Sequence, residues 1–113
     1  MSNCLFCKIV ARDIPCDKVL ESDSFLAFRD IDPKAPVHIL VIPKKHFEDI
    51  TEISKEEFLL TAGLMKFASE VAEVEKLNFG FRIVLNTGPD AGQTVQHVHA
   101  HVLGGRGLTW PPG

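Results

Sequence analysis

Three histidines stand at two-residue spacing in His97-Val98-His99-Ala100-His101-Val102-Leu103. Imidazole is the one side chain that exchanges protons near neutral pH without help from its surroundings, and its neutral nitrogen is a common metal ligand. An extended strand turns alternate side chains to opposite faces. His97, His99 and His101 are therefore expected on one face, with Val98, Ala100 and Val102 turned toward a core on the other. Three rings in register on a rigid strand point to proton handling, phosphate chemistry or metal binding. A second set is Cys4-Leu5-Phe6-Cys7, whose C-x-x-C spacing supplies half of a tetrahedral zinc site. His46 and His97 are candidates for the other half. The competing reading is two cysteines that hold no metal, because no second pair accompanies them. A redox pair fits less well, since these cysteines do not follow a strand in a βαβ unit. Cys16 has no evident partner.

These residues need elements to hold them. Residues 4–11 read as a short helix with Leu5, Ile9 and Phe6 on its buried side, ended by Pro15. Residues 18–21 and 24–29 read as strands around a turn at Ser22-Asp23. Residues 30–36 form a loop, because Pro33 and Pro36 fix their own φ and bias the residues before them away from helix. Val37 to Ile42 is apolar, rich in β-branched residues and bounded by prolines, as a central strand would be. The longest helix is expected from Ser54 to about Leu77. Ser54 and Glu57 form a capping-box pattern, and Leu60, Leu64, Phe67, Val71 and Val74 make one apolar stripe. Asn78 and Gly80 supply its stop. Phe81 to Leu85 is a further strand, residues 86–93 are a loop, and the histidine strand follows. The tail from Arg106 is irregular. Short strands, one long helix and no regular βαβ alternation predict an α+β domain on an antiparallel sheet.

At 113 residues the chain makes one domain with a modest core. Apolar residues at 45% and charged residues at 24% are the balance of a soluble globular protein. A net charge of −3 argues against broad electrostatic binding of nucleic acid, though a small anion needs only a local site. No stretch approaches a membrane span. Met1 to Phe6 shows no secretory pattern, and three cysteines form no disulfide framework, so a cytoplasmic protein is expected.

The flanks of the histidine run match a known pattern. The loop Gly92-Gln93-Thr94-Val95-Gln96, the segment Phe28-Arg29-Asp30-Ile31, the strand His38-Ile39-Leu40-Val41-Ile42-Pro43-Lys44 and the tail Leu103-Gly104-Gly105-Arg106 with Trp110-Pro111-Pro112-Gly113 resemble the histidine-triad (HIT) family, in its Hint branch of purine nucleoside phosphoramidases. The resemblance spans the whole chain as one domain, residues 1–113. It implies a sheet of about five antiparallel strands, one long helix and a short N-terminal helix, with the sheet extended across a homodimer. It implies cleavage of the P–N bond of purine nucleoside 5′-phosphoramidates through a nucleotidyl-histidine intermediate, with no cofactor required for catalysis.

The residue roles follow from the same resemblance. His99 would be the nucleophile, oriented by the backbone carbonyl of His97. His101 would donate to a phosphate oxygen and guide a proton to the leaving amine. Thr94 would sit near the leaving group, and amides around Gly92, Gln93 and Thr94 would cradle the anion. His38 would back the triad, although it reads equally well as a buried structural histidine. Asp30 with Ile31 would meet the ribose, Asn86 would lie near phosphate or sugar, and Phe6, Ile9, Phe28 and Leu40 would line the base slot. Apolar residues at such spacings are also ordinary core. Some bacterial and archaeal relatives carry a structural zinc, which the pair Cys4 and Cys7 with His46 and His97 would match. Two further readings stand beside this one: a nucleotide-binding regulatory module with weak hydrolysis, and a dinucleoside polyphosphate hydrolase, which the Gly104 to Gly113 tail disfavours.

Overall fold

The computed structural model describes residues 3–113. Helix α1 (Leu5–Val10) leads into strands β1 (Lys18–Glu21), β2 (Phe25–Arg29) and β3 (Val37–Pro43). Helices α2 (Ile50–Glu56) and α3 (Phe58–Val74) follow, then β4 (Phe81–Leu85) and β5 (Ala100–Gly104). The five strands form one antiparallel sheet in the order β1-β2-β3-β5-β4. The expected α+β class, with one long helix and a short one at the N-terminus, is what the chain adopts. Among the described residues no helix is long and apolar enough to cross a membrane.

Strand alternation gives the sheet two different faces. On one, Phe25, Ala27, Ile39, Val41, Val98, Ala100 and Val102 pack with Leu64, Phe67, Ala68, Val71 and Ala72 of α3 into the main core. A Cβ at Gly63 would lie 3.0 Å from the Phe25 ring, so the glycine lets α3 approach the sheet closely. On the other face Leu26, Phe28, Leu40 and Ile42 pack with Phe6 and Ile9 of α1. The register pairs Phe28 with Leu40, and Leu40 with His101. This row carries the functional face from an apolar end to an imidazole end.

Several element limits differ from expectation for local reasons. The long helix is two helices, broken at Glu57, whose φ of −145° is extended. The working cap lies earlier: Asp49 accepts from the Glu52 amide, and the Glu52 carboxylate accepts from the Glu48 amide. Asp49-x-x-Glu52 and Ser54-x-x-Glu57 are equivalent as patterns, and only the first opens a helix. Ser54 instead donates to the Thr51 carbonyl inside α2. Replacing Asp49 by Ala should therefore cost about 1 kcal/mol, as loss of an N-cap does. Ser54→Ala should cost a small fraction of that; urea unfolding of the two variants checks the contrast.

Helices α1 and α3 are each followed by a basic residue in the left-handed region, Arg12 (φ 67°) and Lys76 (φ 57°). The Asp13 amide reaches the Lys8 carbonyl, and the Leu77 amide reaches the Ala72 carbonyl. These bonds close Schellman motifs. They end the helices ahead of Pro15, Asn78 and Gly80, where the stops were expected. Leu5 and Val74, expected on buried faces, are 44% and 50% exposed. The histidine strand begins only at Ala100, so His97 and His99 lie on its approach rather than in its ladder.

Candidate active site

The fold fixes the protons of three rings. The Lys34 amide donates to His38 Nδ1 at 3.0 Å, which makes that nitrogen the acceptor. His38, buried in β3, therefore carries its hydrogen on Nε2. That hydrogen faces His101 Nδ1 at 2.9 Å, with the Asp30 carboxylate at 3.4 Å as a second, longer acceptor. His101 must then carry its own hydrogen on Nε2. This nitrogen is the one buried side-chain N or O without a hydrogen-bond partner among the described residues. A buried donor without an acceptor is costly unless a ligand supplies one.

His99 is set the opposite way. Its Nδ1–H donates to the His97 carbonyl at 2.8 Å, leaving the Nε2 lone pair free. The rings of His99 and His101 lie 5.0 Å apart. A lone pair and an N–H donor thus stand side by side. Burial holds all these rings below the ordinary imidazole pKa: His99 and His38 are lowered, and His101 is pushed down to about 4. For His101 the neighbouring His99 and His38 add to the effect. At neutral pH the site is therefore a set of uncharged rings.

That has a consequence for stability. His101 stays neutral in the folded chain down to about pH 4, whereas an unfolded histidine takes up a proton below its ordinary value near 6.5. The unfolded state then binds more protons, so stability falls as pH drops through that window. Above about pH 7 both states are neutral and this contribution is flat. We expect the urea midpoint to decline between about pH 6.5 and 5, before carboxylates titrate, and to decline less in His101→Phe.

Both rings open onto a cleft of about 530 Å³. Phe6, Ile9, Phe28 and Leu40 are among its lining residues, together with Asp30, Ile31 and Thr94. Ile31 is fully exposed there. Sequence reasoning missed the wall formed by Ile14, Pro15, Cys16 and Asp17, and also Val95. No motif marks that wall. It is brought in by the reversal of the chain after Arg12.

The loop before the histidines differs from a simple anion cradle. The Gly92 amide bonds to the Pro89 carbonyl and the Gln93 amide to the Gly88 carbonyl, so neither is free. The buried Gln93 side chain accepts from the Gly88 amide and donates to the Glu48 and Val95 carbonyls. Gly92 and Gln93 brace the loop, and it is exposed Thr94 that lines the cleft. Asn86 follows Leu85, the partner of Ala100, is half-buried and does not line the cleft.

His97 lies on the same face as His99, against Phe6, but does not line the cleft. Its Nε2–H donates to the Pro43 carbonyl at 2.9 Å, which turns the Nδ1 lone pair toward the cysteines. From His97 Nδ1 the distances are 3.3 Å to Cys4 Sγ, 3.6 Å to Cys7 Sγ and 3.2 Å to His46 Nδ1. Cys7 Sγ lies 3.4 Å from His46 Nδ1. A zinc tetrahedron with bonds of about 2.0–2.3 Å has edges of about 3.3–3.8 Å. Two thiols and two imidazoles at these separations fit a structural zinc site. The carbonyl bond that fixes the His97 tautomer is the kind of support such ligands receive. Asp30, His38 and His101 also bring donor atoms together. There, however, Nε2 of His38 carries a proton, so that group is a hydrogen-bond relay.

The HIT domain pattern matches residues 11–108. A HIT-like protein of Synechococcus elongatus is 51% identical over 109 residues, 96% of each chain. Adenylylsulfatase HINT1 of Arabidopsis thaliana is 47% identical over 112 residues, covering 96% of this chain and 76% of its own length. Among solved structures, a HIT family hydrolase from Legionella pneumophila matches with a TM-score of 0.94 at 47% identity, over 98% of this chain and all of that one. A histidine triad protein from Clostridium difficile matches with a TM-score of 0.92 at 40% identity, over 96% of each chain.

Proposed function

This chain belongs to the HIT family, and from that premise we propose that it is a nucleotide-binding hydrolase that cleaves the P–N bond of purine nucleoside 5′-phosphoramidates. One observation carries the reading: the free Nε2 lone pair of His99 and the unpartnered Nε2–H of His101 belong to neighbouring rings that line one apolar cleft. A neutral nucleophile escapes the repulsion that anionic phosphate oxygens exert on an anionic one. His99 Nε2 attacks the α-phosphorus, the P–N bond breaks, and the amine leaves with its electron pair and takes a proton from solvent. The nucleotidyl-imidazolium is stabilised by its Nδ1–H bond to the His97 carbonyl. Water then attacks phosphorus and frees His99 and the nucleoside monophosphate. Splitting one displacement into two lowers each barrier.

His101 acts here as a donor to a phosphate oxygen, since its uncharged ring offers a hydrogen bond rather than an acidic proton. Thr94, which lines the cleft, would meet the leaving group. Phe6, Ile9, Phe28 and Leu40 would form the slot for a purine, and Asp30 with Ile31 would meet the ribose hydroxyls; all six line the cleft. No step requires a cofactor. Assembly as a homodimer is part of this reading. It is supported by β4 as an edge strand with Phe81 exposed, and by exposed Trp110 resting on Arg82 of that strand.

A second substrate is favoured by the Arabidopsis relative, whose name assigns it adenylyl sulfate. The same attack on an adenylyl phosphorus would expel sulfate in place of an amine. The test compares turnover of adenosine 5′-phosphoramidate, adenylyl sulfate and diadenosine tetraphosphate by one preparation. We expect the phosphoramidate to have the highest kcat/KM and the dinucleotide the lowest. Adenylyl sulfate as the best substrate would move the assignment to P–O–S cleavage. A chain that binds nucleotide and turns over none of the three would be a binding module.

A further inference from the structure

The cysteine–histidine cluster and the nucleotide cleft share two parts of the chain. The first is His97: its side chain faces the cysteines, while its carbonyl holds the Nδ1–H of His99. The second is helix α1. Cys4 and Cys7 bracket Phe6, whose ring meets His97 and His99 edge-on at centroid distances of 5.8 and 5.1 Å. Phe6 and Ile9 of the same helix line the cleft. A six-residue helix has little stability of its own, so α1 keeps its place through tertiary ties. Those ties are its two buried apolar side chains and the sulfurs aimed at His46 and His97.

We propose that a divalent metal of the zinc class, bound by Cys4, Cys7, His46 and His97, and a nucleoside monophosphate in the cleft bind cooperatively. The metal fixes the wall of the base slot and the carbonyl that aims His99. A nucleotide seated against Phe6 and His99 in turn holds the ligands in place. The inference rests on the nucleotide-binding reading above and adds a second ligand to it. Because coupling free energies are reciprocal, each ligand must tighten the other by one common factor.

The test uses the whole chain, zinc-loaded and after removal of the metal by chelation and dialysis. Calorimetry reads the AMP Kd of each form, and competition with a chromophoric chelator reads the zinc Kd with and without saturating AMP. We expect both to change by the same factor, at least about five-fold, the lower end of ordinary site–site coupling. Amides of residues 5–10 should exchange faster in the metal-free form while those of α3 stay protected. His46→Gln, which leaves the cleft lining intact, should reproduce the weaker AMP binding. Should the metal-free chain fail to fold, the cobalt-loaded chain carries the test: its visible d–d bands should shift on titration with AMP and saturate with AMP occupancy. Failure to take up zinc overturns the coupling and leaves the nucleotide reading intact. So does an AMP affinity unchanged within two-fold, or a cobalt spectrum indifferent to bound AMP. A zinc-loaded chain that does not bind AMP overturns both.

Discussion

In His99→Ala, release of AMP from adenosine 5′-phosphoramidate should fall by at least about 10⁴-fold, with nucleotide binding retained. Loss of the nucleophile from a covalent hydrolase costs on the order of 10⁶ in kcat elsewhere, the residue of activity coming from binding and charge stabilisation. The lower figure allows water to attack phosphorus directly in the vacated site. His99 is buried but belongs to the face opposite α3, so its removal leaves the main core intact. The two-step route makes a second demand. Rapid mixing of the parent chain with substrate and an alkaline denaturing quench should yield a protein heavier by one nucleotidyl group, and His99→Ala should yield none. A variant that still turns over at the parental rate, with the fold unchanged, would remove His99 from the mechanism.

His101→Ala should lower kcat by about 10²–10³ with a smaller effect on KM. That is the usual cost of deleting one preorganised donor to developing charge. The split matters, because a ring that merely filled space would disturb binding and turnover alike. The relay from the Lys34 amide through His38 sharpens the expectation. His38→Phe removes the group that keeps the proton of His101 on Nε2 and should lose a large part of the same factor. Since the two residues act through one donor, the double variant should be little worse than His101→Ala.

Much of this arrangement is legible in the amino-acid order. Proline boundaries and β-branched residues mark β3, and strict alternation places Val98, Ala100 and Val102 against α3. The C-x-x-C spacing offered half of a metal site, and the fold brings Cys4 and Cys7 together with the two candidates for the other half, His46 and His97. What stays hidden depends on contacts between distant segments. His97 shares the face of His99 and His101, but its ring turns from the cleft to the cysteines because the Pro43 carbonyl claims Nε2, and no local pattern announces that bond. The break at Glu57 is hidden by a run of good helix formers. Two capping patterns lie close together there, and only Asp49-x-x-Glu52 makes its hydrogen bonds, while Ser54 donates to the Thr51 carbonyl. The left-handed helix ends at Arg12 and Lys76 use residues that carry no glycine signal. The first of these ends also delivers the unforeseen wall at Ile14 to Asp17.

The two-sided use of β3 and β5 constrains how the molecule can go wrong. A slip of β5 by one residue against β3 would trade the occupants of the two faces of β5. His101 would be driven under α3 with its nitrogens unmet and parted from His38, while Ala100 and Val102 would fill the space meant for a charged guest. The same error that silences the enzyme would also make the misaligned chain unstable. Chemistry and folding thereby proofread each other, since the register that buries the core is also the one that sets His38 against His101.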